Sequence, residues 1–295
     1  MPTAVVQALW DLPAPAKVNR FLHVVGRRPD GYHLLQSVFQ LIDWCDRLHI
    51  ERRIDGQLRR HDIGPPLPPD DLILRAARAL QAASGCTLGA DIQVDKQVPW
   101  GAGLGGGSSD AATTLLALNR LWGLHWRRER LMALALPLGA DIPFFLGGRH
   151  AFVQGIGEQL TPLELPVEWL AVVKPPQGIA TAAIFGSPML RRDAPPHIIA
   201  DFLVSTSPGG MVDGFGRNDL QPAAEDHCPA VAQVGRWLEA RFGNSRMSGS
   251  GSAVFARAGT GSQPSATWAA DELPLHWVGR MCRSLDSHPL GAWAD

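Results

Sequence analysis

Alternating apolar and polar residues predict strands at several places along the chain. The clearest case runs from Leu88 to Val98, where every second residue except Lys96 is apolar until Pro99 ends the pattern. The segments "KVNRFLHVV", "EWLAVVKPP" and "SAVFARAG" are short apolar runs that also favour strands. We expect two further strands in "LLQSVFQLIDW" and "RLHIERR", where the alternation is weaker.

Helices are predicted where apolar residues recur at intervals of three and four. Leu115, Leu118 and Trp122 predict a helix over "SSDAATTLLALNRLWG". Further helices are predicted in "DDLILRAARALQAAS", "WRRERLMALALPLG" and "EDHCPAVAQVGRWLEARFG", and "GADIPFFLGGRHAFVQGIGE" favours a short helix followed by a hairpin. A break near "LTPLELP" suggests two domains, 1–160 and 161–295. Strands and helices in both halves predict an α+β, enzyme-like architecture.

Composition and charge exclude several classes of protein. Apolar residues make up 45% and charged residues 19%, which is typical of a folded globular chain. The net charge of −1 gives no overall field for nucleic acid or for an anionic membrane, so we expect neither as a partner. The four cysteines are scattered, the N-terminus lacks a signal-peptide pattern, and no apolar run could span a bilayer. We therefore expect a cytoplasmic protein without disulfides, in which a local site holds any anionic ligand.

The segment "VPWGAGLGGGSSDAA", residues 98–112, places five glycines between a predicted strand and a predicted helix. Such a turn lets a phosphate approach the backbone, where free N–H groups at the helix start can bind it. A flexible connection that ends in a serine cap, Ser108 or Ser109, is the alternative. A Walker loop is excluded because the chain contains no Gly-Lys pair. A formal G-x-G-x-x-G match from Gly101 leaves a dinucleotide-binding oxidoreductase open.

Three ordered segments resemble the motifs of the GHMP kinases, a family of small-molecule kinases. They are "PAPAKVN" at 13–19, the glycine-rich segment at 98–112 and "MSGSGSAVFA" at 247–256. The resemblance implies a two-domain fold, with an N-terminal ribosomal-protein-S5-domain-2-like nucleotide domain and a C-terminal α/β-plait-like domain. It also implies ATP and Mg²⁺, although no acidic residue is recognisable as a magnesium ligand. The residues that it assigns to ATP are Lys96, Pro99, Gly101, Gly103, Leu104, Gly105, Gly106, Gly107, Ser108 and Ser109.

Asp141 in "GADIP" and Lys17 in "PAPAKVN" are the candidate catalytic residues. An aspartate two residues before a proline is also a good helix N-cap, and the residues alone favour the two roles equally. The resemblance implies that Asp141 accepts the proton of the attacking hydroxyl and that Lys17 beside it favours the ionised carboxylate. As an ordinary strand residue Lys17 would be a surface charge. Lys96 fits either a side chain that reaches solvent or a cation directed into the glycine-rich loop.

Within the family, the segment 13–46 together with "GADIPFFLGG" and "NDLQP" is similar to one branch. Its members phosphorylate the 2-hydroxyl of a cytidine diphosphate-linked methylerythritol, on the non-mevalonate route to isoprenoid precursors. The resemblance implies that Tyr32 stacks on the cytosine and that His33 forms hydrogen bonds with it. The complete predicted substrate site consists of Asn19, Tyr32, His33, Thr181 and Phe185.

Several alternatives stay open from the sequence. Tyr32 could pack on the domain surface, and Phe185 could belong to an ordinary core. Arg20 stands in the first predicted strand where an apolar residue is expected, which leaves the local packing in question. The chain could also be a different small-molecule GHMP kinase or a non-catalytic nucleotide-binding protein. Its assembly state could be a monomer or a homodimer.

Overall fold

The structure is a computed structural model that describes residues 6–206 and 215–294. The strands are β1 (Ala8–Arg27), β2 (His33–Arg53), β3 (Leu58–Ile63), β4 (Gly89–Asp95), β5 (Ala151–Gln154), β6 (Gln159–Pro162), β7 (Trp169–Lys174), β8 (Arg246–Met247), β9 (Val254–Arg257) and β10 (Val278–Arg283). The helices are α1 (Leu72–Ser84), α2 (Gly106–Leu121), α3 (Arg128–Ala135), α4 (Ile142–Gly147), α5 (Thr181–Phe185), α6 (Ile199–Thr206), α7 (Gln221–His227) and α8 (Pro229–Phe242). This mixture of strands and helices confirms the predicted α+β architecture.

The first sheet contains β1 to β6, and the long strand β2 is its centre. β2 pairs antiparallel with β1, β4 and β5, whereas β3 runs parallel to β4. We predicted two strands where β2 is continuous. The polar residues in its middle do not interrupt it because the buried Asp46 carboxylate accepts hydrogen bonds from the backbone N–H groups of Gln97 (2.6 Å) and Val98 (2.7 Å).

The second sheet contains β7 to β10 in the order β10-β7-β9-β8, with every pair antiparallel. Helices α7 and α8 pack on it, and the apolar residues Val231, Val234 and Leu238 of α8 share a core with β7 and β9. The chain passes from the first sheet to the second between Pro162 and Trp169. The domain boundary at residue 160 stays a prediction.

Helices α1, α2 and α4 contribute to the main core beneath the first sheet. Helix α2 is buried on nearly every side, and its Leu115 and Leu118 lie at the centre of this core. A smaller apolar cluster joins the two sheets, with Val18 and Ile42 from the first and Phe255 from the second. Both halves therefore contribute to the apolar cluster between the two sheets.

Arg20 lies in β1 and is buried because Glu168, the residue immediately before β7, is its charge partner. Its guanidinium forms an ion pair with the fully buried Glu168 and donates a hydrogen bond to Gln40 Oε1 at 2.9 Å. Glu168 also pairs with Arg257 of β9, at 2.5 Å between Nε and Oε2. A charge at this position is therefore compatible with close packing, and it ties the two sheets together.

Candidate active site

A cavity of about 350 Å³ lies where the three sequence motifs meet. Fourteen of the predicted site residues line it: Lys17, Asn19, Lys96, Pro99, Gly101, Gly103, Leu104, Gly105, Gly106, Gly107, Ser108, Asp141, Thr181 and Phe185. Three predicted residues, Ser109, Tyr32 and His33, are not part of the lining. The fold thus brings residues from both halves of the chain to one concave surface.

The glycine-rich loop runs from β4 to the first turn of α2. Gly101, Gly103 and Gly105 have φ angles of 63°, 73° and 72°, in the left-handed region that favours glycine. Helix α2 begins at Gly106, and its N-cap is Gly105, which has no side chain to form a capping hydrogen bond. The alternative of a serine cap is therefore wrong. Ser108 lines the cavity from the first helical turn, whereas Ser109 is fully buried.

The segment "SGSGS", residues 248–252, holds the glycine-rich loop from behind. Ser248 Oγ donates a hydrogen bond to Gly103 O at 2.9 Å, and the Ala253 N–H donates to Ala102 O at 3.1 Å. Strand β1 adds a hydrogen bond from the Lys17 N–H to Leu104 O at 2.9 Å. All three motifs are thus joined through backbone groups, which fixes the shape of the loop.

Lys96 lies between two buried aspartates at the entrance to the loop. Its ammonium forms an ion pair with Asp46 and another with Asp110 of α2, the latter at 2.6 Å. Burial would lower the pKa of Lys96, but the two carboxylates outweigh it and hold that pKa above the ordinary value. Burial and the neighbouring Asp46 raise the pKa of Asp110, against the opposing effect of Lys96. The alternative of a side chain that reaches solvent is wrong.

Lys17 and Asp141 form an ion pair on the cavity lining, with 3.6 Å between Lys17 Nζ and Asp141 Oδ2. Asp141 is the N-cap residue of α4, but its side chain makes no capping hydrogen bond and is 32% exposed. Lys17 is buried, donates to Asn19 Oδ1 at 2.6 Å, and lies 4.3 Å from the centroid of the Phe39 ring. Burial lowers the pKa of the Lys17 ammonium, and the Asp141 carboxylate partly offsets this effect. This geometry leaves the Asp141 carboxyl group on the cavity lining, where it can contact a ligand.

The far end of the cavity is formed by aromatic and hydroxyl side chains. The rings of His33 and Phe185 stack, with 4.9 Å between centroids and 28° between planes. Thr181 Oγ1 and Ser250 Oγ share a hydrogen bond of 2.9 Å. Tyr32 lies on the turn before β2 and is 60% exposed. His33 and Phe185 therefore lie together, while Tyr32 projects into solvent.

Sequence reasoning did not identify several residues that shape the site. Phe39 and Ser37 line the cavity from β2, and Ser250 lines it from the second glycine-rich turn. Asp46 organises the entrance to the loop, and Ser248 supports its middle. Phe39 and Ser37 resemble ordinary strand residues in the sequence. Ser248 and Ser250 lie within the third motif, and this position was the one sequence feature that could have identified them.

Two family models match the chain. The model for the GHMP kinases N terminal domain matches residues 71–149, and the model for the GHMP kinases C terminal matches residues 206–270. A 4-diphosphocytidyl-2-C-methyl-D-erythritol kinase of Methylibium petroleiphilum is 63% identical over 290 residues, which cover 98% of this chain and 99% of that protein. The protein of the same name from Variovorax paradoxus is 54% identical over 298 residues, which cover 98% and 100%.

Solved structures give the same result. The crystal structure of 4-(cytidine 5'-diphospho)-2C-methyl-D-erythritol kinase has a TM-score of 0.78 at 36% identity, covering 93% of this chain and 98% of that one. Homoserine kinase from Cytophaga hutchinsonii has a TM-score of 0.68 at 18% identity and covers 98% of both chains, which shows a shared fold. The GHMP kinase fold that the three motifs implied is thereby confirmed.

Two kinds of feature are absent from the described part of the chain. In residues 6–206 and 215–294, no helix is both long and apolar enough to cross a membrane. In the same ranges, no group of three or more His, Cys, Asp or Glu side chains is arranged to hold a metal ion.

Proposed function

Since the chain belongs to the 4-diphosphocytidyl-2-C-methyl-D-erythritol kinase family of the GHMP kinases, we propose that it phosphorylates the 2-hydroxyl of 4-diphosphocytidyl-2-C-methyl-D-erythritol with ATP. The observation that carries this proposal is the Lys17–Asp141 pair, which shares one cavity with the glycine-rich start of α2. Phosphoryl transfer needs a site for the phosphates and a group that positions the attacking hydroxyl.

The start of α2 supports binding of the ATP phosphates. The first N–H groups of this 16-residue helix have no partners within the helix, and they form the positive end of its dipole. Gly106 and Gly107 carry no side chain that would keep a phosphate away from these groups. Ser108 adds a hydroxyl in the first turn. We assign the triphosphate to this end of the cavity.

Lys17 and Asp141 support the transfer itself. Asp141 accepts the proton of the 2-hydroxyl while the new O–P bond forms and the bond from the γ-phosphorus to the bridging oxygen of ATP breaks, which releases ADP. The Lys17 ammonium offsets negative charge on the transferred group. Asn19 accepts a hydrogen bond from Lys17 and donates one to Ser37 Oγ at 2.9 Å, so it holds the ammonium in place.

Mg²⁺ fits this cavity as a companion of ATP. The ion usually binds through one or two protein oxygen atoms together with phosphates and waters, so it does not need a cluster of carboxylates. The Ser108 hydroxyl and the Asp141 carboxylate are oxygen donors on the lining. We propose the Ser108 hydroxyl as the protein ligand, since Asp141 is assigned to the 2-hydroxyl of the substrate. When bound, the ion neutralises charge on the β- and γ-phosphates.

The aromatic end of the cavity suits a pyrimidine base. Phe185 is partly buried but lines the cavity, where its ring can stack on a base, and Thr181 and Ser250 line the same cavity with hydroxyl groups. Tyr32 would reach a base only from the solvent side, as a cover. We therefore place the cytidine at this end and the methylerythritol hydroxyl next to Asp141.

The four cysteines are compatible with a reducing compartment. Cys45, Cys86, Cys228 and Cys282 are all free thiols. We propose the cytoplasm as the site of action, since free thiols persist there.

The test is ATP consumption by the purified protein, with the cytidylyl substrate offered beside mevalonate, homoserine and galactose. We expect turnover of the cytidylyl substrate alone. Asp141→Asn should lower kcat by about 100-fold to 10,000-fold, the usual contribution of a positioned base. Asp226→Asn, a change at an exposed aspartate of α7, is the matched control and should keep kcat. Turnover of another alcohol would contradict the proposed substrate, and tight ATP binding without turnover would indicate a non-catalytic nucleotide-binding protein.

A further inference from the structure

Arg192 joins the two chain segments that form the aromatic end of the cavity. Its Nε donates a hydrogen bond to His33 Nε2 at 3.1 Å. The two terminal nitrogens donate to backbone carbonyls at the end of α5 and beyond: to Phe185 O and Ser187 O, both at 3.2 Å, and to Leu190 O at 3.0 Å. One guanidinium thus holds both His33 and the backbone of Phe185.

The chemistry of the two side chains determines where the proton of His33 lies. A guanidinium only donates hydrogen bonds, so His33 Nε2 must accept. A neutral imidazole that accepts at Nε2 carries its proton on Nδ1, and an imidazolium has no acceptor at all. None of the described residues bonds to Nδ1 of His33, so that N–H is left for a ligand.

We propose that Arg192 is a positioning residue that holds His33 as the neutral tautomer with its proton on Nδ1, and so determines which hydrogen bond His33 offers to the substrate base. This inference rests on the proposed function. Cytosine has acceptors at N3 and O2, whereas uracil carries a proton on N3. Because O2 is an acceptor in both bases, the discrimination lies at N3: a donor at Nδ1 directed at N3 favours cytosine, and the tautomer becomes a determinant of base specificity.

The electrostatic surroundings of His33 agree with a neutral ring. Partial burial lowers the pKa of His33, and the positive charges of Arg192 and Arg27 lower it further. The stack on Phe185 fixes the plane of the imidazole, so the Nδ1–H direction is fixed together with the tautomer. Arg192 acts through both contacts, since it also holds the carbonyl of Phe185.

The first test observes the tautomer directly and needs no substrate. Long-range ¹H–¹⁵N correlation spectra of the full chain labelled at histidine report which ring nitrogen carries the proton, and His33→Gln identifies the His33 signals. We expect the proton on Nδ1 in the unmodified protein and a shift toward the Nε2–H form in Arg192→Gln. Arg191→Gln removes the exposed neighbouring arginine and should leave the spectrum unchanged. A proton on Nε2 in the unmodified protein would overturn the inference.

The second test is kinetic. In Arg192→Gln we expect the KM for the cytidylyl substrate to rise by about tenfold to hundredfold, the worth of a charged hydrogen bond, with the KM for ATP unchanged. The preference for CDP over UDP as a competing ligand should fall in parallel. In the double variant Arg192→Gln/His33→Gln, the KM for the cytidylyl substrate should be no higher than in the more impaired single variant, because both substitutions remove the same contact. Two results would contradict the inference: effects of the two substitutions that multiply in the double variant, or a KM for ATP that rises together with the KM for the cytidylyl substrate.

Two controls distinguish a failure of this inference from misfolding and from a failure of the proposed function. Arg192→Lys keeps the charge but cannot span both segments, so it should lose base preference while its thermal unfolding stays near that of the unmodified protein. Full CDP preference in Arg192→Lys would overturn the inference. If the protein turns over no cytidylyl substrate, the proposed function fails, and the tautomer spectrum still decides the role of Arg192.

Discussion

The two ends of the cavity are built in different ways. The phosphate side, residues 96–108, is one continuous stretch of chain that presents backbone N–H groups at the start of α2. The base side presents side chains from two segments far apart in the sequence, His33 from one and Thr181, Phe185 and Arg192 from the other. A backbone site can be recognised in the order of its glycines. A side-chain site exists only after distant segments have packed together.

The largest effect should come from Gly103→Ala on the phosphate side. A Cβ at Gly103 would lie 2.1 Å from Ser248 O and 3.0 Å from Ser248 C, and the φ angle of 73° is unfavourable for alanine. The backbone of "SGSGS" has little room to retreat, so the free energy of unfolding should fall by about 3–5 kcal/mol and activity should be lost. Denaturant unfolding and kcat provide the measurements.

Gly123→Ala is the control for this comparison. Gly123 has a similar φ of 66°, but nothing lies within 4 Å of a Cβ there, so only the backbone strain of about 1–2 kcal/mol applies. Equal losses in the two variants would show that the contact between the two glycine-rich segments is unimportant.

On the base side, Phe185→Ala should produce a smaller and more selective effect. Loss of a stacking ring costs about 1–3 kcal/mol per base, so the KM for the cytidylyl substrate should rise by about tenfold to hundredfold. The KM for ATP should stay unchanged because the phosphate side is intact. Met189→Ala, an exposed residue in the same segment, is the control. A parallel rise of both KM values would show that the two sides are not independent.

The smallest effect per residue should come from a lower pH. It should act on buried histidines rather than on the phosphate side or the base side of the cavity. Burial lowers the pKa of His23, His150 and His288 to about 4. Each of these pKa values is lower in the folded protein than in the unfolded chain. The unfolded chain therefore binds more protons, and the free energy of unfolding falls as the pH decreases. Between about pH 7.5 and about pH 6, each histidine should lower the free energy of unfolding by about 1 kcal/mol.

Urea unfolding at several pH values measures this slope. Replacing His276, which lies on the surface, should leave the slope unchanged. Stability that is independent of pH across this window would contradict burial of the three neutral rings. Two separate transitions would show that the two sheets unfold independently.

Local pattern predicted most of the regular structure. The alternation before Pro99 and the spacing of Leu115 and Leu118 identified β4 and α2, because a half-buried strand and an amphipathic helix impose those periods. Strands β3, β8 and β10 were not predicted. They lie at sheet edges, where burial imposes a weaker pattern. The extent of β2 was also missed, since its polar residues are satisfied by partners from elsewhere in the chain.

The amino-acid sequence specifies the order of the three motifs, the glycines that permit left-handed backbone, and the residue types available for chemistry. How those residues act depends on the packing of distant segments. This packing turns the Asp141 carboxylate toward Lys17 instead of the helix N-terminus, pairs Lys96 with two aspartates, and sets Arg192 against His33 Nε2. The physical reason is that backbone conformation depends on near neighbours, whereas the partner of a charged or titratable side chain is set by the segments that pack around it.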